Sequence, residues 1–461
     1  MGSRLQELLF RPISIASLAC FRIIFGLLGF IDILSSWLYY HRIVDAYSPD
    51  RIRFPYMGFE WLPTFYDPWM SLIFIVILIA ALGIIFGQWY RLSTTVFAFG
   101  FLYIFLLEKA HYLNHGYLFC WLSFVMIFLP ADRAFSLRVW QRPSLYSSQI
   151  PFWVLLPLPL MMGIVYFFGG IAKMNPEWLT AIPLKIWLGR KGDLPLIGSI
   201  VTQAWVPYFM AIGGFLLDLL VVFFLLNKRT RIWAFSAVLF FHIVNHLIFD
   251  IGIFPFLSVA LTALYFSPDI PLRFLNWLRK KSRFMAFLVK KWEARMQKGT
   301  ARREALWQLN PIYFKQVLSV FIIFLFIHIS LPLRHHLYPG DVAWTEEGHK
   351  YSWRMMLRTK SGRGHFTIVH SDGKREDIDL KDYLYARQRR KVLTRPDLMI
   401  QFAHQLRDQY RARGEEVEVY AKIKVKLNAR PRRTIVDPAV DLAKENWSFF
   451  QASDWILPYE Y

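Results

Sequence analysis

Long apolar runs, repeated along most of the chain, constrain its fold more than any other feature. A helix needs about 20 apolar residues to cross the hydrocarbon core of a bilayer, and several runs reach that length. We place nine of them, at residues 15–38, 69–88, 92–108, 114–130, 151–172, 206–227, 231–249, 251–267 and 313–332. The sequence therefore predicts a polytopic α-helical membrane protein with about nine transmembrane helices.

The first run and the cysteines narrow the class of protein further. The first run continues to about Tyr40, which is too long for a cleavable signal peptide and predicts a first transmembrane helix. The two cysteines, Cys20 and Cys120, both lie in apolar runs. We therefore expect small core residues rather than a disulfide framework.

Basic residues predict the orientation of the helices. The net charge is +21, and much of it lies in the connecting segments 133–142, 228–231 and 270–308. With nine spans these segments share one side, which the positive-inside rule assigns to the cytoplasm together with the N-terminus. The C-terminal domain is then external. The basic pair at 190–191 departs from this rule.

The segment 270–308 combines basic residues with tryptophans at 277, 292 and 307. Such a composition is compatible with nucleic-acid binding. Beside a membrane span, it favours an interfacial helix that lies on anionic lipid. We expect membrane lipid, and no nucleic acid, as the partner of this segment.

The composition changes to that of a soluble protein after Pro332. Residues 416–427 alternate between polar and apolar side chains, which predicts a strand with one buried face. Residues 366–369 and 376–380 flank a Ser-Asp-Gly-Lys turn and predict a hairpin. A helix is expected to begin at Pro396 and to end at Gly414. The sequence predicts a membrane domain over 1–332 and an α+β domain, mostly β, over 333–461.

Polar residues near the ends of the apolar runs are candidates for function, because polar groups at membrane depth are costly. They form three groups, which the nine-span topology places on the external side. The members are Lys109, His111, Asn114 and His115; Lys173, Asn175 and Glu177; and His242, Asn245, His246 and Asp250.

Each candidate also has a purely structural interpretation. Lys173 can anchor the end of its helix at the interface, or it can act as a base, because burial disfavours the charged form of lysine. Asn114 can cap a helix, and Asp218 can make a hydrogen bond inside the helical bundle. The i, i+4 pair His242 and His246 could ligate a metal, but neither an HExxH motif nor a pair of cysteine ligands accompanies it. We expect no metal.

Several motifs occur in an order that resembles the vitamin K-dependent gamma-glutamyl carboxylase family, whose membrane domain is of the HTTM type. The resemblance covers nearly the whole chain. In the membrane part it rests on Asn114–Leu118, Tyr166–Trp178, Gly213–Asp218 and Phe241–Asn245. In the C-terminal part it rests on Trp344-Thr345, Tyr351–Met356, Val436–Asp441 and Trp447–Gln451.

The resemblance implies an enzyme, a carbon-carbon lyase, that adds CO2 to the γ-carbon of glutamate in a protein or peptide. The energy comes from oxidation of reduced vitamin K, a phylloquinol or menaquinol, by O2 to the epoxide. Lys173 is implied as the base that takes the quinol proton, and His115 as a second catalytic residue. The quinol site falls on Asn114, His242 and Asn245. The glutamate site is implied at Tyr351, Trp353, Met356, Arg358 and Lys360.

Departures from the animal enzymes affect the expected substrate. Arg358 stands where they have histidine, Lys360 where they have arginine, and Ala439 replaces an arginine. The disulfide that joins their two domains has no counterpart here. These differences suggest a bacterial homologue in the inner membrane, with a periplasmic C-terminal domain. They also leave two alternatives open: a quinol epoxidase or oxygenase without glutamate carboxylation, and a non-catalytic protein that binds quinone or lipid.

Overall fold

The computed structural model describes residues 2–39, 42–49, 51–297 and 311–459. Within these residues, six helices are long and apolar enough to cross a membrane. They are Ala16–Leu38, Trp69–Phe86, Tyr90–Leu107, Val206–Leu226, Arg231–Ile248 and Tyr313–Leu337. The chain is thus mostly helical, with a membrane part (residues 2–333) and a C-terminal part (residues 334–459).

Three further apolar helices are shorter: Asn114–Phe128, Pro157–Ala172 and Phe254–Ala263. Every predicted apolar run therefore forms a helix, but the predicted count of nine transmembrane helices is not confirmed. The shortest has 10 residues, so at 1.5 Å per residue it spans about 15 Å, half of a typical hydrocarbon core. Proline shortens one of these helices. The run at 151–172 is divided into Phe152–Leu155 and a second helix that begins at Pro157.

Two helices that carry candidate residues approach each other closely. An added Cβ at Gly170 would lie 2.6 Å from the backbone nitrogen of Leu219, so only glycine fits there. Small residues allow such backbone contact between membrane helices. The contact brings the end of Pro157–Ala172 beside the middle of Val206–Leu226, and it thereby sets Lys173 near Asp218.

Among the described residues the chain has six strands: β1 (Pro12–Ser14), β2 (Gln149–Pro151), β3 (Lys360–His370), β4 (Arg375–Ile378), β5 (Val417–Leu427) and β6 (Arg433–Thr434). The last four form an antiparallel sheet of the C-terminal part in the order β4-β3-β5-β6. Strands β3 (Lys360–His370) and β5 (Val417–Leu427) pair along their whole length. The predicted hairpin is confirmed, since β4 (Arg375–Ile378) pairs with Phe366–Val369 of β3. The last strand, β6, has two residues, Arg433–Thr434.

Side chains of β5 alternate between buried and more exposed positions, as its sequence predicts. The buried face packs against the helix Pro396–Arg411, which begins at the predicted proline. The sheet is smaller than the predicted mostly β domain, because helices and loops form much of this part. Its other helices are Val342–Thr345, Leu380–Tyr383 and Ala386–Val392.

The basic segment after residue 270 forms two helices, Ile270–Lys281 and Arg283–Gln297. Its remaining predicted stretch, 298–308, lies outside the described residues. Phe274, Trp277 and Phe287 are exposed, as expected for helices that rest on lipid. The interfacial role stays a prediction.

Short elements complete the membrane part. Two strands outside the main sheet, Pro12–Ser14 and Gln149–Pro151, pair in antiparallel fashion and join the N-terminal segment to the bundle. The short helices are Gly2–Phe10, Arg42–Ala46, Leu137–Gln141, Pro176–Leu179, Ile182–Leu188 and Gly198–Val201.

Candidate active site

A cavity of about 820 Å³ lies between the membrane part and the C-terminal part. Members of all three predicted polar groups reach its wall. They are His111, Asn114, His115, Lys173, His242, Asn245 and Asp250. His246 is exposed and packs on Phe256, so the two histidines of the i, i+4 pair do not share this cavity. Among the described residues, no group of three histidine, cysteine or acidic side chains is arranged to hold a metal ion.

Lys173 follows the helix Pro157–Ala172 directly and points into the protein interior. It is 6% exposed, and its ammonium pairs with the carboxylate of Asp218. Lys173 Nζ also lies 3.4 Å from the carbonyl oxygen of Gly169 and 5.5 Å from the ring centre of Trp178. Asp218, interpreted from the sequence as a bundle hydrogen bond, is therefore the direct partner of the candidate base.

Asn114 and His115 begin the helix Asn114–Phe128. Leu113, not Asn114, holds the N-cap position, so of the two interpretations of Asn114 the structure does not support the helix cap. The amide of Asn114 instead accepts a hydrogen bond from Tyr112 Oη (2.8 Å) and donates one to the carbonyl oxygen of Arg354 (3.4 Å). Asn114 thus joins the membrane part to the C-terminal part at the cavity wall.

His242 is a buried residue of Arg231–Ile248 with one ring nitrogen engaged. Its Nε2 lies 3.1 Å from Tyr166 Oη, which lies 3.1 Å from Thr262 Oγ1. Its Nδ1 is buried and has no hydrogen-bond partner among the described residues. A buried polar atom without a partner is costly, so a ligand oxygen in the cavity is a fitting partner for it.

The residues of the predicted glutamate site fall into two groups in the structure. Met356, Arg358 and Lys360 line the cavity. Tyr351 and Trp353 do not; their rings lie 4.8 and 5.3 Å from that of Tyr117, in the aromatic contact between the two parts. They are in a position to fix the segment rather than to touch a ligand in the cavity.

The backbone of the same segment is strained. Tyr351, Trp353 and Met356 have φ angles of 67°, 57° and 48°. Each such conformation costs a non-glycine residue about 1–3 kcal/mol, and such residues cluster at functional sites. Nothing in the sequence signals this strain.

The two predicted carboxylate-binding cations already hold a carboxylate of the chain. Arg358 donates two hydrogen bonds to Glu346, and Lys360 Nζ lies 3.0 Å from Glu346 Oε1. Burial raises the pKa of Glu346, but the two cations outweigh burial and hold that pKa well below its usual range. Burial lowers the pKa of Lys360 to about 8, against the opposing effect of Glu346.

Sequence reasoning missed a basic part of the cavity wall. Arg354 lines it, as do Arg387, Arg390, Lys391 and Arg395 of the segment around the helix Ala386–Val392. The run of basic residues between 387 and 395 was the available signal. In sequence it is indistinguishable from a solvated surface.

Fold and cavity together define an integral membrane protein with a site enclosed between a helical bundle and a sheet-containing C-terminal part. A family model for the HTTM domain matches residues 10–270, and one for the vitamin K-dependent gamma-carboxylase lumenal domain matches residues 314–461. The chain belongs to the vitamin K-dependent gamma-carboxylase family, with an HTTM membrane domain. No solved structure matches the chain. The predicted resemblance is confirmed, whereas bacterial origin stays a prediction.

Proposed function

We propose that this protein is a quinol-dependent glutamyl carboxylase, in which residues 1–332 carry the chemistry and residues 333–461 bind the substrate. The observation that carries the proposal is the shared cavity. One wall presents Lys173, Asn114 and His115, and the other presents the segment that ends in Arg358 and Lys360. The physiological substrate is a glutamate-containing protein, and the C-terminal part faces the periplasm of a bacterial inner membrane.

Members of the family use vitamin K hydroquinone, O2 and CO2, and the cavity suits a naphthoquinol. Its volume is ample for a bicyclic ring, and aromatic and polar side chains share its lining. When bound, the reduced quinone supplies, through its oxidation to the epoxide, a base stronger than any side chain. Asn114, His242 and Asn245 are placed to orient its oxygens.

Lys173 has the role of proton acceptor toward the quinol hydroxyl at Nζ. Only the neutral amine can accept that proton, so the role requires Lys173 to reach the quinol in its neutral form. Once protonated, the ammonium is stabilised by the carboxylate of Asp218. His115, whose ring stacks on Phe254 with 6.0 Å between ring centres, is held as a second polar group of the site.

The contact between the membrane part and the C-terminal part excludes water from the cavity. The rings of Tyr112, Tyr117, Tyr351 and Trp353 pack together beside the cavity. A γ-carbanion of glutamate is protonated by water unless the site is closed, so this contact protects it until CO2 arrives.

The first experiment gives the purified protein a reduced naphthoquinone, 14C-bicarbonate and a short glutamate peptide. We expect label in the peptide and epoxide in similar amounts. Epoxide without label would instead identify an epoxidase. Absence of both products would contradict the proposal.

The second experiment tests Lys173 with a matched pair of substitutions. Lys173→Ala removes the amine, and Lys173→Arg keeps a cation opposite Asp218 but cannot supply a neutral base. We expect both to lower epoxide formation by about 100-fold or more, the range of general base catalysis. A small added amine should restore part of the activity to Lys173→Ala alone.

The control is Lys185→Ala, because Lys185 is an exposed lysine outside the cavity lining whose Nζ donates a hydrogen bond to Tyr208 Oη at 2.7 Å. It should keep full activity. Wild-type epoxidation in Lys173→Arg would remove Lys173 from the role of base.

A further inference from the structure

The cavity has a basic wall formed by Arg387, Arg390, Lys391 and Arg395. Five acidic residues line the same cavity: Asp32, Glu108, Asp218, Asp250 and Glu346. Glu346 is bound by Arg358 and Lys360, and Asp218 by Lys173. Two cations of the basic wall, Lys391 and Arg395, form no ion pair among the described residues, so their charge is only partly balanced, by Glu346 at a distance.

Arg395 shows this imbalance most clearly. It is 9% exposed, it precedes the helix Pro396–Arg411, and its guanidinium reaches the cavity. Among the described residues its Nη1 is buried without a hydrogen-bond partner, and Glu346 and Asp397, which feel its charge, form no ion pair with it. A buried donor nitrogen without a partner is unfavourable, so this arrangement fits a protein that receives an anion there.

Lys391 reports the same excess of charge. Its pKa is lowered to about 6, first by the charge of Arg395, then by burial and by Arg387. An anion between Lys391 and Arg395 would relieve the repulsion that causes this shift. Both side chains line the same cavity and are four positions apart, so we treat them as one site, with the planar fork of Arg395 and the point charge of Lys391.

We propose that Arg395 and Lys391 bind the γ-carboxylate of the glutamate that is carboxylated. The inference rests on the proposed function and refines it, since Arg358 and Lys360 are occupied by Glu346. A guanidinium matches a carboxylate with two parallel hydrogen bonds, and such charge-assisted pairs are strong. The site opens into the cavity that holds Lys173, where the γ-carbon has to be placed.

The test compares two peptides that differ only in glutamate or glutamine at the target position. Their affinities for the detergent-solubilised full chain are measured by displacement of a fluorescent glutamate peptide. We expect the wild type to prefer the glutamate peptide by about tenfold, which is about 1.4 kcal/mol, because the glutamine peptide loses a hydrogen bond between charged groups. Arg395→Gln and Lys391→Gln should each reduce the preference to about twofold or less.

Lys422→Gln is the matched control, because Lys422 is an exposed lysine of β5 outside the cavity. It should retain the wild-type preference. Lys391 is less buried than Arg395, so Lys391→Gln keeps the test decisive if Arg395→Gln fails to fold. If Lys391→Gln preferred the glutamate peptide as strongly as the wild type does, the assignment would be overturned.

The two proposals fail in different ways. If the peptide is carboxylated but both variants keep the wild-type preference for the glutamate peptide, the proposed anion site is wrong and the proposed carboxylase activity stands. If the preference for the glutamate peptide depends on Arg395 and Lys391 but neither label nor epoxide forms, the proposed anion site stands and the proposed carboxylase activity is wrong.

Discussion

The pair formed by Lys173 and Asp218 is the central feature at the scale of single residues. Both side chains are buried, with 7% and 6% of their surfaces exposed. Removing one partner of such a pair leaves a buried charge alone, which costs about 3–5 kcal/mol, whereas replacing both by apolar residues is often neutral.

We therefore predict that Asp218→Asn destabilises the protein by about 3 kcal/mol. The double variant Lys173→Met/Asp218→Leu should recover most of this loss while remaining inactive. Unfolding of the detergent-solubilised protein by heat or denaturant measures both. A single variant as stable as the wild type would show that the pair contributes nothing to folding.

The sequence could identify the members of this pair but not their contact. Asp218 and Lys173 stand out because they are charged within or beside apolar runs. Their separation of 45 positions is bridged by the packing of two helices, whose backbones approach closely at Gly170. Likewise, Arg395 looked like part of a solvated basic run, because burial depends on how the two parts pack.

At the scale of elements, sequence patterns predicted those strands and turns whose residues interact with near neighbours in the chain. The hairpin turn predicted the pairing of β3 with β4, and the alternation along β5 predicted its one buried face. Apolar runs predicted helix positions but not helix lengths, since the ends depend on prolines and on packing. The strained backbone of Tyr351–Met356 had no sequence signal, because only tertiary contacts impose it.

The short helix Pro176–Leu179, which follows Lys173, is tied to the C-terminal part by one arginine. Arg430 contacts Glu177 at 2.9 and 3.0 Å and Asp341 at 2.9 Å. Glu177 also accepts a hydrogen bond from Asn428 at 2.8 Å. Glu177, predicted as a candidate for chemistry, thus has a positioning role outside the cavity lining.

We predict that Arg430→Met lowers the rate of epoxide formation several-fold, because the turn that carries Lys173 loses its attachment. Hydrogen exchange should become faster in residues 173–180. Arg432→Met is the control, since Arg432 is nearby and half-buried but bonds to Ser361 and Lys424 within the C-terminal part. Unchanged exchange in Arg430→Met would show that the turn is fixed by other contacts.

At the scale of the whole molecule, Asp397 fastens the two parts together. Its Oδ2 lies 3.1 Å from Lys109 Nζ of the membrane part and 2.5 Å from Lys350 Nζ of the C-terminal part. A second buried contact is close by, where Gln388 donates to Glu108 at 2.9 Å. Because the cavity lies between the two parts, its shape depends on these contacts.

The charge of Asp397 makes this attachment sensitive to acid. Burial raises the pKa of Asp397, but Lys109 and Lys350 outweigh burial and hold that pKa below its usual range. The unfolded chain therefore takes up the proton at a higher pH than the folded protein. The stability that Asp397 contributes is complete above about pH 4 and is lost as the pH falls through the lowered pKa.

We predict that Asp397→Asn lowers stability by about 3 kcal/mol at pH 6, because two buried ammonium groups lose their partner. Below pH 4 the free energy of unfolding of this variant should fall less steeply with pH than that of the wild type. The difference in slope corresponds to at most one proton taken up on unfolding. Glu346 retains its own acid dependence, so the slope decreases without vanishing. Melting temperatures between pH 3 and pH 7 measure the effect, with Asp408→Asn, an exposed carboxylate of the same helix, as the control. If Asp397→Asn kept the full acid slope of the wild type, the two parts would be held together by contacts other than this carboxylate.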